Sequence, residues 1–396
     1  MATLQEKVTQ QFKERFGHMP ALVVQSPGRL NMIGEHTDYN MGYVLPAAID
    51  KGIWMALSRS DMGVSVFRAI DMDEEIQLPD FEQLSPFDKG WANYVVGVID
   101  QLLKAEKELG PVKCVFGGNI PIGSGLSSSA ALENAICFGL NELFSLGMSK
   151  MEMVKHSQKA EHEFVGVMCG IMDQFTSMMG QENKVIRLDC RSLEYETFPL
   201  DLQDYELVLL NSNVEHSLAS SQYNIRRSQC EEGVAIMQKK DAAIQSLRDA
   251  SMDLLDQCRN EMSEVVYRRC KYIIEENERV LNFCEALEQK NFEGLGQILK
   301  AAQLGMKHEY EITCPEIDFL FDFAYQYPGV IGARMMGGGF GGCTLNIVEK
   351  DKEEAYLQDI SSAYKDQFGF ETTPIKVKIS DGVKKVYEND AQGGSA

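Results

Sequence analysis

The run Pro121-Ile122-Gly123-Ser124-Gly125-Leu126-Ser127-Ser128-Ser129-Ala130-Ala131-Leu132-Glu133-Asn134-Ala135 decides how the rest of the chain is read. Upstream, Val112-Lys113-Cys114-Val115-Phe116 reads as a strand; downstream, Leu132, Ile136, Leu140 and Leu143 recur at helical spacing, so the order is strand, glycine loop, helix. That order builds an anion site. Gly123 and Gly125 permit positive φ and close backbone approach, while Ser127, Ser128 and Ser129 bring hydroxyls and unpaired N–H groups to a helix N-terminus. The plainer alternative is a capped helix after a flexible turn. The loop lacks both the Lys of GxxxxGK[ST] and the second half of the dinucleotide fingerprint, so a bound triphosphate needs Mg²⁺ and basic residues from elsewhere in the chain.

At 396 residues, 44% hydrophobic and 24% charged, the chain has the composition of a globular protein with room for two domains. The 38 Lys and Arg against 59 Asp and Glu give a net charge of −21, which argues against a nucleic-acid surface and for a small ligand held by local groups. The 10 cysteines form no CxxC pair and sit in apolar runs, so they read as reduced and mostly buried. No apolar stretch reaches the length of a membrane span, and the opening MATLQEKVTQQFKERFGH is a polar amphipathic helix pattern instead of a signal peptide; a cytoplasmic protein without a membrane role is expected.

Along the chain, Ala21 to Gln25 reads as a strand that delivers into the polar stretch Ser26 to Asn40. Arg29, Glu35, His36 and Asp38 give that stretch the hydrogen-bonding density of a sugar pocket, with Glu35 and Asp38 able to accept hydroxyl protons and His36 able to do either; a solvated loop is the alternative. Strands at 42–49, 53–57 and 64–67 suggest a mixed sheet, and 91–103 reads as a helix whose Trp91 either stacks on a purine or packs in the core. Helical pattern resumes at Met151, is interrupted at Gly166 and Gly170, and restarts at Asp173, which is either a helix cap or a working carboxylate; Glu161 upstream is a candidate oxygen ligand for Mg²⁺. A boundary falls near 199–204, followed by a helix-rich half. The cluster Gly337-Gly338-Gly339-Phe340-Gly341-Gly342 before a strand implies backbone packed against the other domain or the nucleotide loop, and the closing AQGGSA reads as a disordered tail.

Three motifs in this order, Gly28 to Pro46, Gly125-Leu126-Ser127-Ser128-Ser129-Ala130 and the cluster from Gly337, together with Cys169 to Gln174 and Asn211 to Val214, resemble the GHMP small-molecule kinases, and among them the galactokinase family. The resemblance implies an α+β, two-domain GHMP kinase fold: a ribosomal protein S5 domain 2-like N-terminal domain over 1–204 and a ferredoxin-like C-terminal domain over 205–396. It implies transfer of phosphate from Mg-ATP to the anomeric hydroxyl of α-D-galactose by a monomer. Residue by residue, Asp173 is then the base and Arg29 its charge partner; Glu35, His36, Thr37, Asp38 and Tyr223 bind sugar. Gly123, Ser124, Gly125, Leu126, Ser127, Ser128, Ser129 and Trp91 bind ATP, and Ser128 or Ser129 with Glu161 hold Mg²⁺. Met336 stands where many relatives have Thr, and Ser124 where another small residue is common; neither removes a group the chemistry needs. An N-acetylgalactosamine kinase and a non-catalytic galactose sensor are the alternatives, and the unbroken serine loop with Asp173 favours catalysis.

Overall fold

The computed structural model describes residues 2–79, 81, 84–121, 123–214 and 219–389; Ile122 and the AQGGSA tail lie outside them. The first half carries β1 (Leu22–Asn31), β2 (Tyr43–Val44), β3 (Pro46–Arg59), β4 (Ser65–Ala69), β5 (Glu74–Leu78), β6 (Val112–Gly118), β7 (Lys184–Asp189) and β8 (Tyr195–Pro199). The second carries β9 (Tyr205–Asn211), β10 (Val330–Met335), β11 (Cys343–Glu349), β12 (Thr373–Lys376) and β13 (Lys384–Glu388). The helices are α1 (Leu4–Phe16), α2 (Gly90–Lys104), α3 (Ser128–Phe144), α4 (Lys150–Ala160), α5 (Met172–Met179), α6 (Ala219–Met237), α7 (Met252–Cys258), α8 (Glu264–Glu288), α9 (Phe292–Gly305), α10 (Pro315–Gln326) and α11 (Glu353–Phe368).

The larger sheet runs β13-β1-β3-β6-β4-β5, with β4 and β6 parallel. Successive side chains on a strand point to opposite faces, and both faces here are apolar. Val23, Ala56 and Val115 meet Val8 and Phe12 of α1, whereas Val24, Met55, Leu57, Cys114 and Phe116 join the core under α2 and α3. The amphipathic α1 is fixed at its start by a Thr3–Glu6 capping box and stopped by Gly17 in the left-handed region. β2, β7 and β8 form a small separate sheet.

The second half places its strands in the order β10-β11-β9-β12, all antiparallel, and its element order is strand, helices, two strands, helix, strand. That is the ferredoxin-like arrangement. Two expectations need correction. The strand expected to end at Gln25 runs on to Asn31, with a shift of register between Pro27 and Arg29 where Pro27 has no N–H for the ladder, so Arg29 stands on a strand. The segments 42–49 and 53–57 are one long strand over most of their length, β3. Contacts cross residue 204: β13, at the chain's far end, pairs with β1, and one core contains Leu30, Leu45 and Ile49 with Leu209, Phe283, Leu345 and Ile347. The halves are thus held together by apolar burial of about 1.5–3 kcal/mol per large side chain before entropy is charged.

Candidate active site

The glycine-serine loop leaves β6 and enters α3 with Gly123 at φ 74° and Gly125 at φ 72°. Ser127 is the residue before the helix, also left-handed at φ 60°, and its side chain makes no capping bond. Its hydroxyl instead donates to Asp173 Oδ2 at 2.5 Å, leaving the first N–H groups of α3 without that cap and open to an anion. Ser124 is tied down by its own hydroxyl, which donates to the Pro121 carbonyl at 2.6 Å.

Asp173 is the second residue of α5, the residue before that helix is Ile171, and no side chain caps it. Asp173 is therefore not a cap. Its carboxylate takes a two-pronged grip from Arg29, Nε to Oδ1 at 2.7 Å and Nη2 to Oδ2 at 2.9 Å, while the third guanidinium nitrogen donates to the Gly125 carbonyl. Arg29 is 5% exposed and Asp173 28%, so the pair is anchored on the protein side and open on the other. The Arg29 backbone N–H also donates to the Leu126 carbonyl at 3.1 Å, stitching β1 to the glycine-serine loop.

These groups share one cleft of about 360 Å³, within the range of small-molecule sites. Arg29, Glu35, His36, Asp38, all of 123–129, Glu161, Asp173 and Tyr223 line it. Two expected residues do not. Thr37 is fully buried and its hydroxyl donates to the Gly34 carbonyl at 2.9 Å, so it shapes the 34–43 loop from behind. Trp91 is 7% exposed, gives its indole N–H to Glu74 Oε2 at 2.6 Å and meets Phe116 edge-on; it stands in the core, as the packed alternative had it.

The 34–43 loop is crowded with internal partners. Glu35 and Arg334 form an ion pair with side chains 1% and 0% exposed, and the Gly337 N–H donates to Glu35 Oε1 at 3.1 Å. Arg334, on β10, had no role from sequence; its signal was a lone Arg in an apolar strand next to the glycine cluster. His36 Nε2 faces the Gly338 carbonyl at 3.1 Å, which only accepts, so Nε2 carries the proton and Nδ1 accepts from Tyr39. The Tyr39 oxygen then receives the Tyr310 hydroxyl at 2.8 Å, and both tyrosines were likewise unassigned. Burial pushes His36 down to about 3, keeping the ring neutral. A sugar hydroxyl that reaches Nε2 has to displace the Gly338 carbonyl. The glycine cluster packs on the glycine-serine loop, since a Cβ on Gly337 or Gly342 would lie 3.3 Å from the Gly125 or Ser124 carbonyl.

Asp38 sits under Gly170, where an added Cβ would fall 1.8 Å from its Oδ2. Burial, with the Asp173 charge second, pushes Asp38 up from 3.8 to about 6. An acid whose native pKa lies above its unfolded value holds its proton more tightly when folded, so it removes stability as pH rises from about 4 through 6. Asp38→Asn should raise the melting temperature of the ligand-free protein at pH 7.5 by a few degrees, an effect of at most about 3 kcal/mol, and the difference should vanish below about pH 4. Calorimetric melts of both proteins across that range check it.

Glu161 ends the α4 helix on the cleft wall, with Gln174 Nε2 donating to its Oε2 at 2.8 Å and the Cys169 thiol at 3.5 Å. Burial and the Asp173 charge push it up to about 7, a shift that a bound cation would oppose. Among the described residues no cluster of three or more His, Cys, Asp or Glu is arranged to hold a metal. Hydroxyls of Ser128 and Ser129 with the Glu161 carboxylate are hard oxygen donors of the kind Mg²⁺ takes when substrate phosphates and water supply the rest.

A galactokinase galactose-binding signature matches residues 10–59, and the GHMP kinase N-terminal and C-terminal domain families match 93–181 and 283–366. The galactokinase of Thermotoga neapolitana is 41% identical over 363 residues, covering 92% of this chain and 99% of that protein. The chain belongs to the galactokinase family. Among solved structures, the Lactococcus lactis galactokinase complexed with galactose superposes with a TM-score of 0.91 at 34% identity, covering 97% of this chain and 100% of that one. The Methanococcus jannaschii mevalonate kinase, at 15% identity and a TM-score of 0.68, shares the GHMP kinase fold over 91% of this chain and 99% of its own. As an ATP-dependent sugar kinase of this family, the protein has the fold expected of it. All ten cysteines are free and all but Cys169 are buried, and no helix among the described residues is long and apolar enough to cross a membrane.

Proposed function

We propose that the protein transfers the γ-phosphate of Mg-ATP to the C1 hydroxyl of α-D-galactose, giving galactose 1-phosphate and ADP. The observation that carries this is the position of Asp173, gripped by Arg29 and touched by the loop serine that precedes α3, between the sugar loop and the phosphate loop. Galactose lies against Glu35, His36, Asp38 and Tyr223, and Thr37 keeps that loop in shape. The ATP phosphates lie along 123–129 at the start of α3. Ser129 or Ser128 with Glu161 would hold the Mg²⁺ that accompanies ATP, and that ion would supply charge neutralisation and orientation of the phosphates. Asp173 receives the hydroxyl proton and aims its oxygen at the γ-phosphorus; Arg29 fixes that carboxylate and, being always cationic, offsets the charge that grows on the transferring group. Ten unpaired thiols suit the reducing cytoplasm, and one chain supplies every group named, in keeping with a monomer.

The test is ADP release with Mg-ATP across galactose, N-acetylgalactosamine, glucose, arabinose and mevalonate. Galactose should give the highest kcat/KM, because a sugar that leaves one buried partner unmatched loses about 1–3 kcal/mol. A preference for N-acetylgalactosamine or mevalonate overturns the substrate, and galactose binding without ADP release from any sugar makes the protein a sensor.

A further inference from the structure

The loop 34–43 that carries His36 and Asp38 holds an uncommon backbone, with Gly34 at φ 99°, His36 at φ 63° and Met41 at φ 58°. Left-handed non-glycine residues persist only where the surroundings over-determine them. Some ties are internal: Thr37 donates to the Gly34 carbonyl at 2.9 Å, and Asn40 Nδ2 to the His36 carbonyl at 2.8 Å. These hold the middle of the loop to itself and say nothing of where it sits.

Its ends are held from the other half of the chain, by one face of α8. Glu276, fully buried, accepts the Gly34 N–H on Oε1 at 2.9 Å and Arg279 Nε on Oε2 at 2.6 Å. Asn277 Oδ1 accepts the Tyr43 N–H at 2.8 Å, its orientation fixed because its Nδ2 donates to the Ile273 carbonyl at 2.9 Å. Tyr272 donates to the Glu35 carbonyl at 3.2 Å, and its ring packs 4.6 Å from that of Tyr310, which leads through Tyr39 to His36. Positions 272, 276 and 277 share a helix face, so one rigid element sets the start and the end of the loop together.

We infer that Glu276, with Tyr272 and Asn277, is a positioning clamp for galactose recognition: it touches no substrate, and it places His36 and Asp38 where the sugar meets them. The clamp rests on the reading of 34–43 as the sugar loop. The alternative is that Glu276 serves only as the buried partner of Arg279 and matters for stability alone.

Glu276→Gln and Tyr272→Phe in the full-length protein separate these. Galactose and a non-hydrolysable Mg-ATP analogue are titrated calorimetrically, with KM, kcat and melting temperature measured alongside. The clamp predicts galactose Kd and KM raised about tenfold in Glu276→Gln, whose single oxygen can accept from Gly34 or from Arg279 but whose N–H₂ then faces the other donor, and about threefold in Tyr272→Phe, which loses the bond to the Glu35 carbonyl, with nucleotide affinity within about twofold of wild type. Galactose affinity unchanged in both variants overturns it, as does a parallel loss of both ligands that follows melting temperature. Should Glu276→Gln fail to fold, Tyr272→Phe decides alone, since it removes one hydroxyl and keeps the ring packing. Wild-type protein that binds no galactose overturns the sugar-loop reading and the clamp together; wild-type binding with unaffected variants overturns only the clamp.

Discussion

Asp173→Asn is expected to lower kcat by roughly 10²–10⁴-fold, the usual contribution of a positioned general base, while the folded protein still binds galactose. Asn keeps the size of Asp and one oxygen acceptor, but it takes no proton from the sugar. Its amide N–H₂ faces a donor either way: in place of Oδ1 it loses the Arg29 Nε bond, and in place of Oδ2 it loses those from Arg29 Nη2 and Ser127, so at least one of the three bonds to this carboxylate is lost. Galactose affinity should therefore weaken only a few-fold, and the melting temperature should drop slightly. A helix-cap role predicts the reverse, near-normal kcat, because Asn caps as well as Asp. The geometry already removes that reading, since α5 has no side-chain cap and the carboxylate points to Arg29. Measuring kcat beside galactose affinity and thermal stability decides the matter: near-normal kcat in a folded, galactose-binding variant takes Asp173 out of the mechanism.

What the sequence made legible were groups whose chemistry is local. The glycines and serines of 123–129 are contiguous, so their loop and the helix after it follow from spacing, and the density of polar groups at 29–38 marked a pocket without any knowledge of its shape. Asp173 and Arg29 are 144 residues apart, and only the fold brings them to 2.7 Å. Arg334 and Glu276 stayed hidden for a related reason: each is a charged residue on a core element whose partner, Glu35 or Gly34, lies on the other half of the chain. Trp91 went the other way. An aromatic near a nucleotide motif has two uses, packing and stacking, and periodicity does not separate them. The return of β13 to the first sheet was equally silent, because Lys384 to Glu388 has the mixed polarity of an exposed edge strand and nothing in it specifies β1 as its partner.

Gly125→Val is expected to weaken nucleotide binding by roughly 5- to 150-fold while galactose affinity changes far less. Gly125 sits at φ 72°, a region where a β-branched residue is a genuine outlier at a cost of about 1–3 kcal/mol. Space is not the obstacle, for an added Cβ would find only the Met336 carbonyl at 3.6 Å, an ordinary contact. The cost is backbone strain, and it has an easy release. The loop lies between β6 and α3 and is not part of either, so rotating the 125 peptide relieves Val without unfolding a core. That rotation turns N–H groups away from the phosphates and withdraws the carbonyl that Arg29 binds, whereas the sugar loop, held by its own ties and by α8, keeps its shape. Nucleotide affinity should then fall with melting temperature nearly unchanged, and kcat should fall too, because Arg29 loses one of its three anchors. Separate calorimetric titrations of galactose and of the Mg-ATP analogue read this directly. Unchanged nucleotide affinity in the folded variant means that the phosphates bind elsewhere in the cleft, and a matching loss of both ligands means that the strain is paid by the fold as a whole.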